Sequence, residues 1–169
     1  MLGYARSQNG FTLIEVIIAT AIGAILMGGL TSVVLTSTRA GTIATSRVDA
    51  SAQIRNFQLF AHDDFARTGA PSAGACTPAA PCTTPITLTG TYVSSLATPA
   101  PGYKVTYAWD GSNFLDRQVA GAGSIHAATN VTKFSWYIDT NGAYVVTLTV
   151  TVRAYSQSQT FLFYPQVHP

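Results

Sequence analysis

Between Phe11 and Thr36 the chain reads FTLIEVIIATAIGAILMGGLTSVVLT, 26 residues with a single ionisable side chain, Glu15. As a helix this run would extend about 39 Å at about 1.5 Å per residue, enough to cross a bilayer hydrocarbon core of roughly 30 Å. A segment that long with no polar face does not fit the one-sided apolar stripe of a globular core helix. It also outruns a removable secretory signal, whose apolar region is about 7 to 15 residues. The STRAG at residues 37–41 offers the only small-residue cut behind it, at Ala40. An ordinary membrane anchor accounts for the hydrophobicity but not for Glu15, because a lone acid in lipid costs on the order of 2 to 3 kcal/mol.

Such a charge calls for a partner, and residues 11, 12, 18 and 19, the positions within helical reach, are Phe, Thr, Ile and Ala. A cut after Gly10 would create one. The new α-amino group on Phe11, with a reference pKa of about 7.7 to 8.0, would stand four residues before Glu15. A carboxylate in the first helical turn is also favoured by the helix macrodipole.

Gly10 followed by FTLIEV and a long apolar run, behind a short leader containing Arg6, resembles the class III signal of type IV pilins and type II secretion pseudopilins. The resemblance implies a prepilin peptidase that cuts after Gly10 and methylates the amine of Phe11. It implies that Glu15 pairs with the amine of a neighbouring subunit during filament assembly. The expected partners are that peptidase, other pilin or pseudopilin subunits and, before assembly, the inner membrane, with the head in the periplasm or outside the cell. The chain then divides into a leader (1–10), a transmembrane and assembly helix (11–38) and a head (39–169). Gly28-Gly29 is either a place for the helix to bend on packing or one where helices approach closely.

The head has its own signals. Past Thr36 the pattern becomes amphipathic, with Ile43, Arg47, Ala50, Ile54, Phe57, Ala61 and Phe65 at spacings of three and four, so the helix is expected to continue to about Ala66 and pack on a sheet. His62-Asp63-Asp64 reads as a solvated last turn, with Asp63 and Arg67 paired at i and i+4, and Gly69 and Pro71 as the stop. Residues 69–102 hold six of the eight prolines, which marks a long connection with one strand in PITLTGTYVSS. Alternation and β-branched or aromatic enrichment predict strands at 103–110, 113–119, 131–139 and 143–156, then a last one in QTFLFYP, with DGS and DTNG as turns. The glycines of VAGAGSIH (119–126) read as a flexible connection. The expected fold class is α+β: one long amino-terminal helix packed on an antiparallel meander, as in pilins. Helix and strand order resemble J-type minor pseudopilins and PilW-like minor pilins, which implies a tip or priming subunit.

Cys76 and Cys82, in CTPAAPC, suit a small disulfide in an oxidising compartment, with two free thiols as the alternative. His62, His126 and His168 are too scattered to complete a zinc set with them. Charged residues make up only 9% of the chain, against about 25% in an average soluble protein, and the net charge is +2. Lys104, Arg117, Lys133 and Arg153 are too few to interleave with the sheet aromatics as a nucleic-acid platform. A DNA- or substrate-binding head and a stand-alone anchored envelope domain remain as alternatives. No catalytic constellation or phosphate-binding loop stands out, and no cofactor is called for.

Overall fold

A computed structural model of the protein describes residues 11–69, 76–90 and 102–165. The leader, residues 70–75 and 91–101, and the last four residues, His168 among them, lie outside them. The chain divides into two units, Met1–Ile43 and Ala44–Pro169. The first helix, α1 (Leu13–Ala66), contributes to both.

Up to Ile43, α1 exposes nearly every side chain, and it is long and apolar enough to cross a membrane by length and composition. Its threonines do not spoil that surface. The hydroxyls of Thr20, Thr31, Thr36 and Thr38 donate to the carbonyls of Val16, Met27, Ser32 and Val34 at 2.8–3.0 Å. Hydrogen-bonded back to the residue i−4, a hydroxyl leaves no unmet polar group toward lipid. The helix runs unbroken through Gly28-Gly29, and a Cβ on either would meet no neighbour within 4 Å.

In the second unit α1 buries Ser46, Ala50, Ile54, Phe57, Ala61, Asp64 and Phe65. The stripe therefore begins at Ser46, and Ile43 and Arg47, expected on it, are exposed. Seven strands follow among the described residues: β1 (Ile86–Gly90), β2 (Tyr103–Trp109), β3 (Leu115–Val119), β4 (Gly123–Ala128), β5 (Val131–Ile138), β6 (Tyr144–Val152) and β7 (Tyr155–Phe163). Every neighbouring pair is antiparallel and consecutive in sequence, but the strands form two sheets, β1-β2-β3-β4 and β5-β6-β7, where one meander was expected. The architecture is α+β and pilin-like.

Two strand expectations need correction. The glycines of VAGAGSIH do not make a loose connection; Gly121 and Gly123, both at positive φ, turn the chain into β4. β4 was hidden because only Ala127 and Ala128 at its end are buried, so its sequence shows no alternation. The run 143–156 is two strands, broken after Val152, where Arg153 takes a φ of 56°. Neither Arg153 nor Ala154 belongs to the Asn-Gly class of residues that announce a two-residue hairpin turn.

The core is aromatic and reaches both sheets. Phe57 meets Tyr107 of β2 edge-on at 5.7 Å and Phe161 of β7 at 5.4 Å, while Phe65 stacks on Phe163 at 4.4 Å. Phe134, Tyr144 and Phe161 are core, Trp109 and Trp136 pack half-buried against it, and Phe114 lies instead on His126. Inward Val146, Leu148 and Val150 alternate with Thr147, Thr149 and Thr151, whose hydroxyls pair across the strand with Thr160, Ser158 and Ser156 at 3.0 Å.

The sequence-expected turns form. At the first, Asp110 Oδ1 accepts the amides of Ser112, Asn113 and Phe114 at 2.8, 2.8 and 3.0 Å. These amides, Asn113 first, hold the exposed carboxyl down to about 2. Its folded value lies below its unfolded one, so its contribution to stability is full above about pH 4 and is lost as pH falls toward 2. Asp110→Asn is expected to flatten that part of the acid-unfolding profile, as followed by circular dichroism.

Gly90 ends β1 beside the end of α1. A Cβ there would stand 2.0 Å from the carbonyl oxygen of Arg67, and the Gly69 amide donates to Thr89 O at 3.2 Å in the same seam. Gly90→Ala is expected to force the seam apart and cost about 1 to 3 kcal/mol in denaturant unfolding.

Candidate functional site

The amino-terminal site is built from Phe11, Thr12 and Glu15. Thr12 caps α1, and its carbonyl accepts the amides of Glu15 and Val16 at 3.1 and 3.3 Å. In return both the amide and the hydroxyl of Thr12 donate to Glu15 Oε2, each at 3.4 Å. Thr12-x-x-Glu15 has the spacing of a capping box, a pattern readable in the sequence, and its Glu-to-amide half is formed. The residues within helical reach of Glu15 give it no opposite charge, but Thr12 gives it two hydrogen bonds. At 3.4 Å these bonds are long, and they supply no opposite charge. Among the described residues no cation pairs with Glu15, which stays exposed in the first turn of the helix. Phe11 is 82% exposed and borders the same shallow depression as Glu15, Val16 and Ala19. Gly10 lies outside the described residues.

The head holds a polar cluster that the sequence did not announce. His62 and Asp63 are exposed, and Asp63 pairs with Arg67 at 2.6 Å as the spacing indicates. Asp64, expected to be solvated with them, is instead buried, with its side chain 1% exposed. Helical geometry explains the difference, because position 64 follows Ala61 by three and so falls on the buried stripe. Arg117 of β3 grips the carboxylate with both nitrogens of its fork, Nε to Oδ2 at 2.6 Å and a terminal nitrogen to Oδ1 at 2.7 Å. Tyr107 Oη donates to Oδ2 at 2.5 Å. Burial, then the Asp64 hydrogen bond and charge, push the Tyr107 phenol well above its usual range, so it acts here as a permanent donor. The Arg117 guanidinium also lies over the Phe60 ring, 5.4 Å from its centroid. The cluster clamps the end of α1 to β2 and β3.

Cys76 and Cys82 are bridged. The bridged loop lies along the outer edge of β5, where Cys82 and Trp136 exchange amide-to-carbonyl bonds at 2.8 and 2.9 Å and the Ile138 amide donates to Cys76 O at 3.2 Å. The Trp136 indole N–H adds a bond to Thr84 O at 2.9 Å. Closing so short a loop contributes about 2 to 3 kcal/mol on the chain-entropy account. The paired variant Cys76→Ser with Cys82→Ser is expected to lose about that much and to speed hydrogen exchange at the Trp136 and Ile138 amides.

Comparison with known families adds one match: the model described as "Prokaryotic N-terminal methylation motif" covers residues 5–31. No curated protein and no solved structure matches the chain. The motif spans Phe11, Thr12 and Glu15, so that segment is pilin-like. It indicates a subunit processed by prepilin peptidase and assembled with other pilin subunits, a structural component more than an enzyme.

Proposed function

We propose that the chain is a minor pilin or pseudopilin subunit, stored in the inner membrane and assembled into a type IV pilus or a type II secretion pseudopilus. Residues 1–10 are its leader, removed after Gly10 as the amine of Phe11 is methylated. Residues 11–38 hold it in the membrane before assembly and pack in the filament afterwards. Residues 39–169 form a head in the periplasm or cell exterior, a location to which the Cys76–Cys82 bridge is suited. The observation that carries this reading is the methylation motif over residues 5–31, together with an exposed Glu15 that has a helix cap but no counter-charge among the described residues. A place at the tip or in priming rests on the likeness of helix and strand order to J-type pseudopilins.

Intact mass and amino-terminal sequencing of the protein recovered from its native membrane test the proposal. The expected product starts at N-methylated Phe11. A retained Met1, or a start at Gly41, would overturn it.

A further inference from the structure

The two outer edges of the β5-β6-β7 sheet are treated differently. The edge of β5 is occupied by the disulfide loop through Cys76 and Cys82. β7, at the other edge, keeps register with β6 over nine residues without a bulge. Among the described residues its main chain hydrogen-bonds to β6 alone. Its sequence, YSQSQTFLF, contains no charge and no proline. Charges, prolines and bulges are the devices by which edge strands ordinarily avoid acquiring a neighbour.

Beside this edge the core gives way to a groove of mixed character, lined by Val48, Ala52, Ile54 and Leu59 as well as by polar side chains. On the helix-facing side of β7, Phe161 and Phe163 are buried, but Gln157 and Gln159 line an open groove of about 630 Å³. The opposite wall is α1, which presents Arg47, Ser51 and Arg55. Ser51 Oγ donates to Gln157 Oε1 across the groove at 3.0 Å, and the Arg47 guanidinium sits 5.4 Å from the centroid of the Tyr155 ring. The lining includes two cations and no acid.

We propose that the edge of β7, unpaired among the described residues, and this groove together take up an extended acidic segment of another protein as an added strand. Main-chain pairing with β7 supplies the register, and alternate side chains of the incoming strand enter the groove. Arg47 and Arg55 are eight residues apart on α1, about 12 Å at about 1.5 Å per residue. Residues i and i+4 of a strand, on one face, are about 13 Å apart. Carboxylates at those two positions can therefore meet both arginines. A second copy of β7 fits poorly, because the strand is uncharged and would bring its own Arg47 and Arg55 against these. The groove lies wholly within residues from 44 onward, so the proposal does not depend on how the amino terminus is processed.

The test uses the full chain in zwitterionic detergent and end-blocked nonapeptides. With alternating Thr and Glu, hydrogen exchange at the amides of 155–163 is expected to slow at least tenfold. The Thr-Lys counterpart is expected to leave it unchanged. N-methylating alternate amides of the Thr-Glu peptide, which keeps its charge but removes strand pairing, is expected to weaken binding at least tenfold. The double variant Arg47→Glu with Arg55→Glu is expected to prefer the Thr-Lys peptide. Equal binding of the methylated peptide, or no protection of β7 by the acidic one, would overturn the proposal. So would protection that rises with protein concentration in the absence of peptide, which would assign the edge to a second copy. The peptide series is measured on the unaltered chain, so its outcome holds even if the double variant does not fold.

Discussion

Glu15→Gln is expected to be cut and methylated like the natural chain and yet to be absent from filaments. Glutamine at this position still offers an oxygen to the Thr12 amide and hydroxyl, the contacts Glu15 Oε2 makes at 3.4 Å, so both contacts can survive. What disappears is the charge. The substitution thus separates the contacts at the start of α1 from the proposed role, meeting a positive amine on a neighbouring subunit; Glu15→Ala would remove both together. Comparing the amount of processed subunit in the membrane with that in sheared filaments reads the result. A drop of tenfold or more in the filament fraction at unchanged processing supports a docking charge. Normal incorporation would assign Glu15 to the cap alone.

Arg117→Ala is expected to destabilise the head by about 3 to 5 kcal/mol. The reason is what it leaves behind: Asp64 would lose both bonds of the guanidinium fork while its carboxylate, 1% exposed and held by Tyr107 Oη, stays inside the protein. Removing one member of a buried, hydrogen-bonded ion pair costs this much because the other charge is stranded. Adding Asp64→Ala to Arg117→Ala is expected to cost less than the sum of the two single changes, with a coupling of about 0.5 to 3 kcal/mol. Denaturant unfolding of the four proteins measures it. Additive losses would mean that the two side chains contribute separately.

What the sequence disclosed depended on how local each signal was. α1 was legible at both ends, since uniform apolarity and then the Ala50–Phe65 stripe mark its two parts, and Gly69 stands just past its last turn. β2, β3, β5, β6 and the end of β7 carried enough alternation or β-branched content to be placed, as did the Asp110 and Asp139 turns. The break at Arg153 was not legible, because a residue without turn chemistry occupies a left-handed φ imposed by the pairing of β6 with β7. β4 went unseen since strand pairing with β3, more than burial, holds its first four residues. The division into two sheets is a tertiary choice with no local trace. Asp64 could have been placed on the buried stripe by counting helical turns, but its partner Arg117 lies 53 residues away on another strand. At the amino terminus the Gly10-Phe11-Glu15 pattern was visible, whereas Thr12, which carries no charge, does not stand out as a partner for an acid.

The clamp around Asp64 also has a mechanical meaning. A tension applied along α1 from its amino-terminal side enters the head through the Ala50–Phe65 face, where the packed side chains resist it together, in shear. Beyond them, the Asp64 carboxylate passes load to β2 through Tyr107 and to β3 through Arg117, and the Gly69–Thr89 hydrogen bond passes it to β1. The final turn of the helix is thereby moored to three strands at once. Pulling that turn free would mean breaking its bonds to all three strands.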